Sequence, residues 1–229
     1  MKLLRETIRS LILESACDPI NDKVAAGINE IAIQKCTIRI ENDGDDMFIA
    51  ILGLGNSTKA IIELGDTWAG PVSSEDAPCH GAWIVLWSTV NGLDGRGKGV
   101  GALLYDVAIE TAASRGLTSD RDSVSDDAFP MWNYYYNNST LYDKRLIDPL
   151  NLNTGEGRWT DDPNDDCVSR SWIKTPENLA RSTRSAFLND EFMEEHKEEY
   201  VNNPLNYVYT KKDQSQPTIQ CLKEMELMK

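Results

Sequence analysis

Leu3, Leu4, Ile8, Leu11 and Ile12 recur at helical spacing, which predicts an amphipathic helix over residues 2–15 with Lys2, Arg5 and Arg9 on or near its polar side. Asp18-Pro19 ends it, because a residue before proline is pushed out of the helical region. A second, short helix is predicted over 24–33. The period then changes: 36–41, 47–54, 59–64 and 82–90 read as strands, and Asn42-Asp43-Gly44-Asp45 is a turn signal that joins the first two as an antiparallel hairpin. Residues 82–87, Ala-Trp-Ile-Val-Leu-Trp, are apolar without alternation, as expected of a strand covered on both faces at a sheet centre.

A glycine-rich segment follows over 92–101, and then a helix whose face is marked by Val100, Leu103, Leu104, Val107 and Ala108, ending near Arg115-Gly116. Another helix is predicted over 125–136, with Asp126 and Asp127 in its first turn and Pro130 limiting the regularity of its opening. Residues 148–170 read as a long acidic loop containing Asp161-Asp162-Pro163-Asn164-Asp165-Asp166. A helix over 177–201, a strand over 205–210 and a final helix over 219–228 complete the chain, which carries no internal repeat. The expected division is an N-terminal helix (1–19), a core (20–147) and a C-terminal extension (148–229).

Composition narrows the function classes. The chain has 229 residues and a formal charge of −14, from 37 acids against 23 bases, which argues against a nucleic-acid binder, whose affinity comes from clustered Lys and Arg. A hydrophobic content of 41%, with six Trp and eight Tyr, supports a sizeable core. The five cysteines, Cys17, Cys36, Cys79, Cys167 and Cys221, are scattered and include no C-x-x-C pair, so neither a disulfide framework nor a zinc site is suggested, and a reducing, cytoplasmic setting is expected. Arg5, Glu6 and Arg9 interrupt the apolar residues and leave only the run 10–13 uncharged before Glu14, too short for a signal-peptide core or a membrane span. No membrane partner and no metal are expected.

The strand, glycine turn and helix form an anion site by construction: the first helical amides lack partners, the helix dipole adds about half a positive charge, and glycines let a phosphate approach the main chain. Dinucleotide binding needs G-x-G-x-x-G, and the alternation Gly95, Gly97, Gly99, Gly101 does not supply it. Gly92, Gly97 and Lys98 match G-x-x-x-x-G-K, but Gly99 stands where a nucleotide loop needs a Ser or Thr for magnesium. Arg96-Gly97-Lys98-Gly99-Val100-Gly101 instead takes the form R-x-x-G-x-G, and with the following Ala-Leu-Leu-Tyr-Asp-Val-Ala-Ile-Glu it resembles the pyrophosphate loop of the GNAT acetyltransferase superfamily.

That resemblance implies an α/β fold with a mixed, mainly antiparallel central sheet flanked by helices, in the order helical pair, three antiparallel strands, central fourth strand, loop and helix, fifth strand, helix. It covers a little over half the chain, residues 20–140. It implies acetyl-CoA as acyl donor and direct transfer to a primary amine. The amides of Gly97, Lys98, Gly99, Val100 and Gly101 would cradle the pyrophosphate, with Arg96 and Lys98 adding charge, and the pantetheine arm would lie around Ser88 and Val90. A main-chain N–H there would polarise the thioester carbonyl, and an acid would protonate the departing thiolate, in the family often a tyrosine on the helix after strand five. Aligning Ser125 and Ala128 with the family's N-x-x-A helix opening puts Trp132 at that position. Tyr135 and Tyr136 are the nearby candidates for the acid, alternatives to packing roles for the same rings, and Glu63 is the candidate base beside a water relay.

Other groupings carry less. Cys79-His80 invites a thiol nucleophile, but His196 is the only other histidine and no partner spacing identifies a triad. The 161–166 run lacks the glycine and terminal glutamate of an EF-hand loop. Glu191, Glu194, Glu195, Glu198 and Glu199 form an acidic surface suited to a basic acceptor. Residues 116–125, with Met-Trp-Asn-Tyr-Tyr-Tyr and Leu-Asn-Tyr-Val-Tyr, resemble GNAT-like proteins of tailed phages, and Ile12-Leu13-Glu14-Ser15 is similar to capsid-targeting peptides cut after a hydrophobic-x-Glu tripeptide. These imply a phage capsid association and a location in host cytoplasm or virion. They also define the rival to an enzyme, a non-catalytic GNAT-fold interaction or virion protein.

Overall fold

The computed structural model describes residues 21–66, 82–91, 97–120, 124–149, 166–167 and 194–228. Asn21 opens the first helix, α1 (Asp22–Ile33). Its side-chain oxygen accepts from the Lys23 and Val24 amides at 3.1 and 3.0 Å, so two donors that a helix start leaves over are satisfied. Val24, Ile28 and Ile31 fall on one face of α1 and are buried. The hairpin follows: β1 (Thr37–Asp43) and β2 (Asp46–Leu52) pair antiparallel from Thr37 opposite Leu52 to Asp43 opposite Asp46. The chain reverses through Gly44-Asp45, with Gly44 at φ +65°, a conformation a side chain resists.

A 3-10 turn (Leu54–Asn56) leads into β3 (Thr58–Asp66). Then come β4 (Trp83–Val90), α2 (Val100–Ala112), β5 (Leu117–Ser119), α3 (Phe129–Asn137), β6 (Tyr142–Leu146), the short β7 (Asp148–Pro149) and β8 (Asp166–Cys167), α4 (Lys197–Val201), β9 (Tyr207–Lys211) and α5 (Pro217–Glu224). Seven strands form a mixed, mainly antiparallel sheet in the order β1-β2-β3-β4-β5-β9-β6, with β4 at its centre as the unalternating sequence predicts. The β4–β5 pair is parallel and uses α2 as its crossover. β7 and β8 make a separate parallel pair. Among the described residues, no helix is long and apolar enough to cross a membrane.

The chain divides into two compact units. The first holds the described residues up to Leu64, then Trp87–Ala113 and the C-terminal segment from Asp213; the second holds Gly65–Leu86 and Ser114–Lys212. β4 contributes its start to the second and its end to the first. In the first unit, α5 docks on α2 through a carboxylate: Glu110 Oε1 and Oε2 accept from the Thr218 and Ile219 amides at 3.0 and 2.9 Å, capping a helix whose own N-cap, Gln216, makes no side-chain cap bond and instead donates to the Glu110 carbonyl at 2.9 Å. The Thr218 hydroxyl donates to Asp106, and the Ile38 amide donates to the Leu227 carbonyl at 2.6 Å. In the second unit, β9 inserts between β5 and β6, and its tyrosines build an aromatic core. Buried phenols need partners: Tyr209 donates to the Pro204 carbonyl at 2.5 Å and Tyr200 to that of Ile147 at 3.0 Å.

Several expectations change. β6, Tyr-Asp-Lys-Arg-Leu, was not foreseen, because Asp143, Lys144 and Arg145 are exposed on a strand at the end of the sheet, where charges discourage further pairing. The central strand is covered only at its start: Leu86, Trp87 and Val90 are 40%, 44% and 44% exposed. The compact units also cut across the expected 20–147 and 148–229 division. β9 pairs with β5, and Glu110 recruits Asp213 onward to the first unit, both contacts between residues far apart in sequence. Cys36 is a free buried thiol, whereas Cys221 is disulfide-bonded; sequence spacing does not show which sulfurs a fold brings together. The expected helix over 2–15, Arg96, Cys79-His80, residues 161–165 and the 177–201 helix up to 193 lie outside the described residues.

Candidate functional site

The glycine segment enters α2 with Gly99 as N-cap at φ +80°. The first intrahelical bond runs from the Leu103 amide to the Gly99 carbonyl at 2.9 Å, so the amides of Val100, Gly101 and Ala102 precede the ladder. Gly99 offers no side-chain cap and the first turn carries no acid. The Val100 side chain is buried, so that residue presents only its backbone here. Among the described residues a Cβ built on Gly101 meets nothing within 4 Å, and Gly101 does not have a positive φ. A glycine at a helical position costs about 1 kcal/mol relative to alanine, yet neither conformation nor packing asks for one at Gly101. Gly97 also faces open space, with its φ of +90° as the reason for glycine.

Gly99 is different. A Cβ there would lie 2.0 Å from the Lys23 carbonyl oxygen and 2.7 Å from the Gly27 nitrogen, and one on Gly27 would lie 2.5 Å from the Gly99 oxygen and 2.9 Å from Leu103 Cβ. Gly27 and Gly99 are therefore a matched pair that lets α1 cross the start of α2 at backbone contact. The single role expected of residues 97–101 is divided: Gly99 is needed for packing, while a Cβ at Gly97 or Gly101 would meet no atom of the described residues within 4 Å.

Lys98 does not stand free. Its Nζ lies 3.1 Å from Glu30 Oε1, with the lysine side chain 43% exposed and the glutamate side chain 10%. Gln34 donates to the same oxygen at 3.3 Å. The hydrogen bond from Lys98 holds the Glu30 carboxyl below the usual carboxylate range, against the opposing effect of burial. Sequence reading missed Glu30 although a signal existed: it sits beside Gly27 and Ile31 on the helical face that carries the apolar stripe, where an acid needs a cation.

At the end of β4, Trp87 Nε1 donates to Glu63 Oε2 on β3, and the Asn91 amide donates to the Lys59 carbonyl at 2.7 Å. The pairs run 59 with 91 and 63 with 87, the antiparallel sense. Burial, and then the nearby charge of Asp46, push the Glu63 carboxyl up. Ser88 is exposed, and its Oγ lies 3.4 Å from the hydroxyl of Tyr105 on α2. Burial raises the Tyr105 phenol, with the Ser88 hydrogen bond opposing it. Val90 is exposed on the same stretch. Thus Ser88, Val90, Lys98, Gly99, Val100, Gly101 and Glu63 all belong to the first unit, together with Glu30, Trp87 and Tyr105, which sequence reading did not single out.

The expected acid candidates belong to the second unit. Trp132 and Tyr135 are each 1% exposed, with the Tyr135 ring 5.9 Å from Trp132, 4.7 Å from Tyr142 and 5.6 Å from Tyr209. Both are core side chains. Tyr136 is half-buried, edge-on to Tyr207 at 5.4 Å, with Lys144 Nζ 3.4 Å above its ring. Burial pushes the Tyr207 phenol up to about 12. Among the described residues, no cluster of three or more His, Cys, Asp or Glu side chains is placed to hold a metal ion.

No protein-family model, curated protein or solved structure matches the chain.

Proposed function

We propose that the chain binds acetyl-CoA on its first unit and transfers the acetyl group to a primary amine. The observation that carries this reading is the first turn of α2, where the amides of Val100, Gly101 and Ala102 precede the helical ladder and, among the described residues, neither a positive φ nor a close contact accounts for Gly101. A polyphosphate would use those amides and the helix dipole, with Lys98 as a cation beside them. Two further features support it. From β1 on, the order β1, β2, β3, β4, α2, β5, α3 agrees with the order the resemblance implies, with one described helix, α1, where it implies a pair, and β4 continues to Val90 whereas its pairing with β5 spans only Trp83–Val85. That leaves Trp87, Ser88 and Val90 exposed on the stretch where the pantetheine arm would lie.

In this reading Glu63, its carboxyl raised by burial above its ordinary value, takes a proton from the acceptor ammonium, and Trp87 orients it. A main-chain N–H of β4 would polarise the thioester carbonyl. Tyr135 and Tyr136 belong to the second unit, Tyr135 enclosed in its core, and neither is given a step here. One observation favours the rival reading of a non-catalytic interaction or phage virion protein: Trp132, which has no exchangeable acid, fills the expected acid position and is buried.

Calorimetry with acetyl-CoA tests the proposal. Wild-type protein should bind in the micromolar range, and Gly101→Glu should weaken binding at least thirtyfold without lowering thermal stability. Absence of wild-type binding at high micromolar concentration, or a Gly101→Glu variant that binds like wild type, overturns it. Binding without amine-dependent CoA release selects the rival.

A further inference from the structure

We propose that the Ser88–Tyr105 hydroxyl pair delivers the proton to the departing CoA thiolate, Ser88 touching sulfur as the catalytic residue and Tyr105 acting through it as a positioning and proton-supplying residue. This rests on the acyl-CoA reading and assigns a step for which the resemblance supplies only a buried tryptophan.

The placement follows from strand and helix geometry. Ser88 stands three residues back along β4 from Asn91, about 10 Å at the rise of an extended strand, and is exposed on the stretch that leads to the glycine segment. An arm running from the first turn of α2 along β4 passes over it. Tyr105 belongs to α2 itself, so the helix that would hold the pyrophosphate also sets the phenol 3.4 Å from Ser88 Oγ.

Successive strand residues point to opposite faces. Trp87 meets Glu63 on one face of β4, and Ser88 meets Tyr105 on the other. General acid and general base must hold opposite protonation states at the same pH, and a strand between them keeps either from neutralising the other. Burial raises the Tyr105 phenol, which keeps its proton in place through the neutral range.

The step balances. The amine nitrogen forms the C–N bond, the C–S bond breaks, and its electron pair goes to sulfur. The thiolate takes the Ser88 hydroxyl proton as Ser88 takes the phenolic proton of Tyr105. Two protons leave the ammonium nitrogen by way of Glu63 and water; one returns to the Tyr105 phenolate, and one is released per turnover.

The test needs no knowledge of the acceptor. The thiol of bound CoA is titrated by its thiolate absorbance in the ultraviolet, in wild type and in Ser88→Ala, Ser88→Thr, Tyr105→Phe and Tyr136→Phe. Thermal melts check that each variant is folded. A donor touching sulfur stabilises the thiolate, so Ser88→Ala should raise the bound thiol's midpoint by about one pH unit. Ser88→Thr should restore it, Tyr105→Phe should raise it by less, and Tyr136→Phe should leave it unchanged. If wild type fails to bind CoA in calorimetry, the acyl-CoA reading falls and this proposal with it. If CoA binds and Ser88→Ala leaves the midpoint in place, or Tyr136→Phe alone moves it, only the pair is overturned. A shift in Ser88→Ala with none in Tyr105→Phe removes Tyr105 from the assignment.

Discussion

Replacing Gly99 and Gly101 by alanine in turn places the same methyl group two residues apart, with opposite predicted outcomes. At Gly99 the backbone is left-handed, which costs an L-residue about 1–2 kcal/mol, and the new Cβ would sit 2.0 Å from the Lys23 carbonyl oxygen. That neighbour is helix backbone, so α1 must move away from α2. Overpacking of a close contact adds about 1–3 kcal/mol. Gly99→Ala should therefore lose about 2–5 kcal/mol, and Gly27→Ala, whose Cβ meets the Gly99 oxygen at 2.5 Å, should be damaged in the same way. Gly101→Ala gains helix propensity with nothing in its path and should be more stable by about 0.5–1 kcal/mol. Urea denaturation read by far-ultraviolet circular dichroism, with amide exchange of α1 and α2 as the local reporter, measures both. A Gly99→Ala variant within about 1 kcal/mol of wild type would refute the packing argument. Destabilisation by Gly101→Ala would mean that the fold itself requires that glycine, and the first turn of α2 would lose its value as a mark of a ligand.

Glu110→Ala should detach α5, because the buried amides of Thr218 and Ile219 lose their acceptor; at the upper end of about 0.5–1.5 kcal/mol for each of the two hydrogen bonds, the loss should approach 3 kcal/mol and appear as faster amide exchange over 217–224. Glu30 has a depressed folded value, so its stabilisation is fully present above the ordinary value of 4.5 and is lost as pH falls through the lower folded one. The gap in urea midpoint between wild type and Glu30→Gln should narrow on acidification below that ordinary value, and a constant gap would show that the Lys98 bond does not govern it. Glu63 is raised, so the acidic limb of kcat against pH should lie above 4.5. Glu63→Gln should lower kcat by about 10²–10⁴, while Trp87→Phe, which removes a donor to the carboxylate, should move that limb to higher pH. An unmoved limb in both variants would exclude Glu63 as the base.

Local patterns were legible where one segment decides its own structure. The hairpin follows from a turn sequence flanked by strand-forming runs, and β4 and α2 from uninterrupted apolar and i, i+4 patterns. What escaped depends on partners distant in sequence. β6 carries three consecutive charged residues, so its strand character exists only because Tyr142 and Leu146 bracket a register with Lys211 and Tyr207 on β9. The attachment of α5 to α2 rests on Glu110, whose carboxylate reads along the chain as an ordinary helical acid and in space as the cap of another helix. No periodicity contains that information, since it concerns which helix start arrives at a given side chain.

The glycine segment shows the same limit at the level of chemistry. A run of alternating glycines reads as one device, and each member is explained by one ligand. In the folded chain the same residue type answers two separate physical demands, a positive φ at Gly97 and backbone contact with α1 at Gly99, while among the described residues neither accounts for Gly101. Lys98 shows the converse, since a cation that sequence offers to a phosphate is already bonded to Glu30. An ammonium has three donors, and at 43% side-chain exposure Lys98 can keep Glu30 as one partner while presenting another N–H to an anion. Glu30 then fixes where that charge stands and partly offsets it, so Glu30→Gln, which keeps an acceptor but removes the negative charge, should tighten acetyl-CoA binding and steepen its salt dependence. Equal affinity and salt slope in calorimetry would place Lys98 outside the binding surface and leave the amides of α2 as its basis.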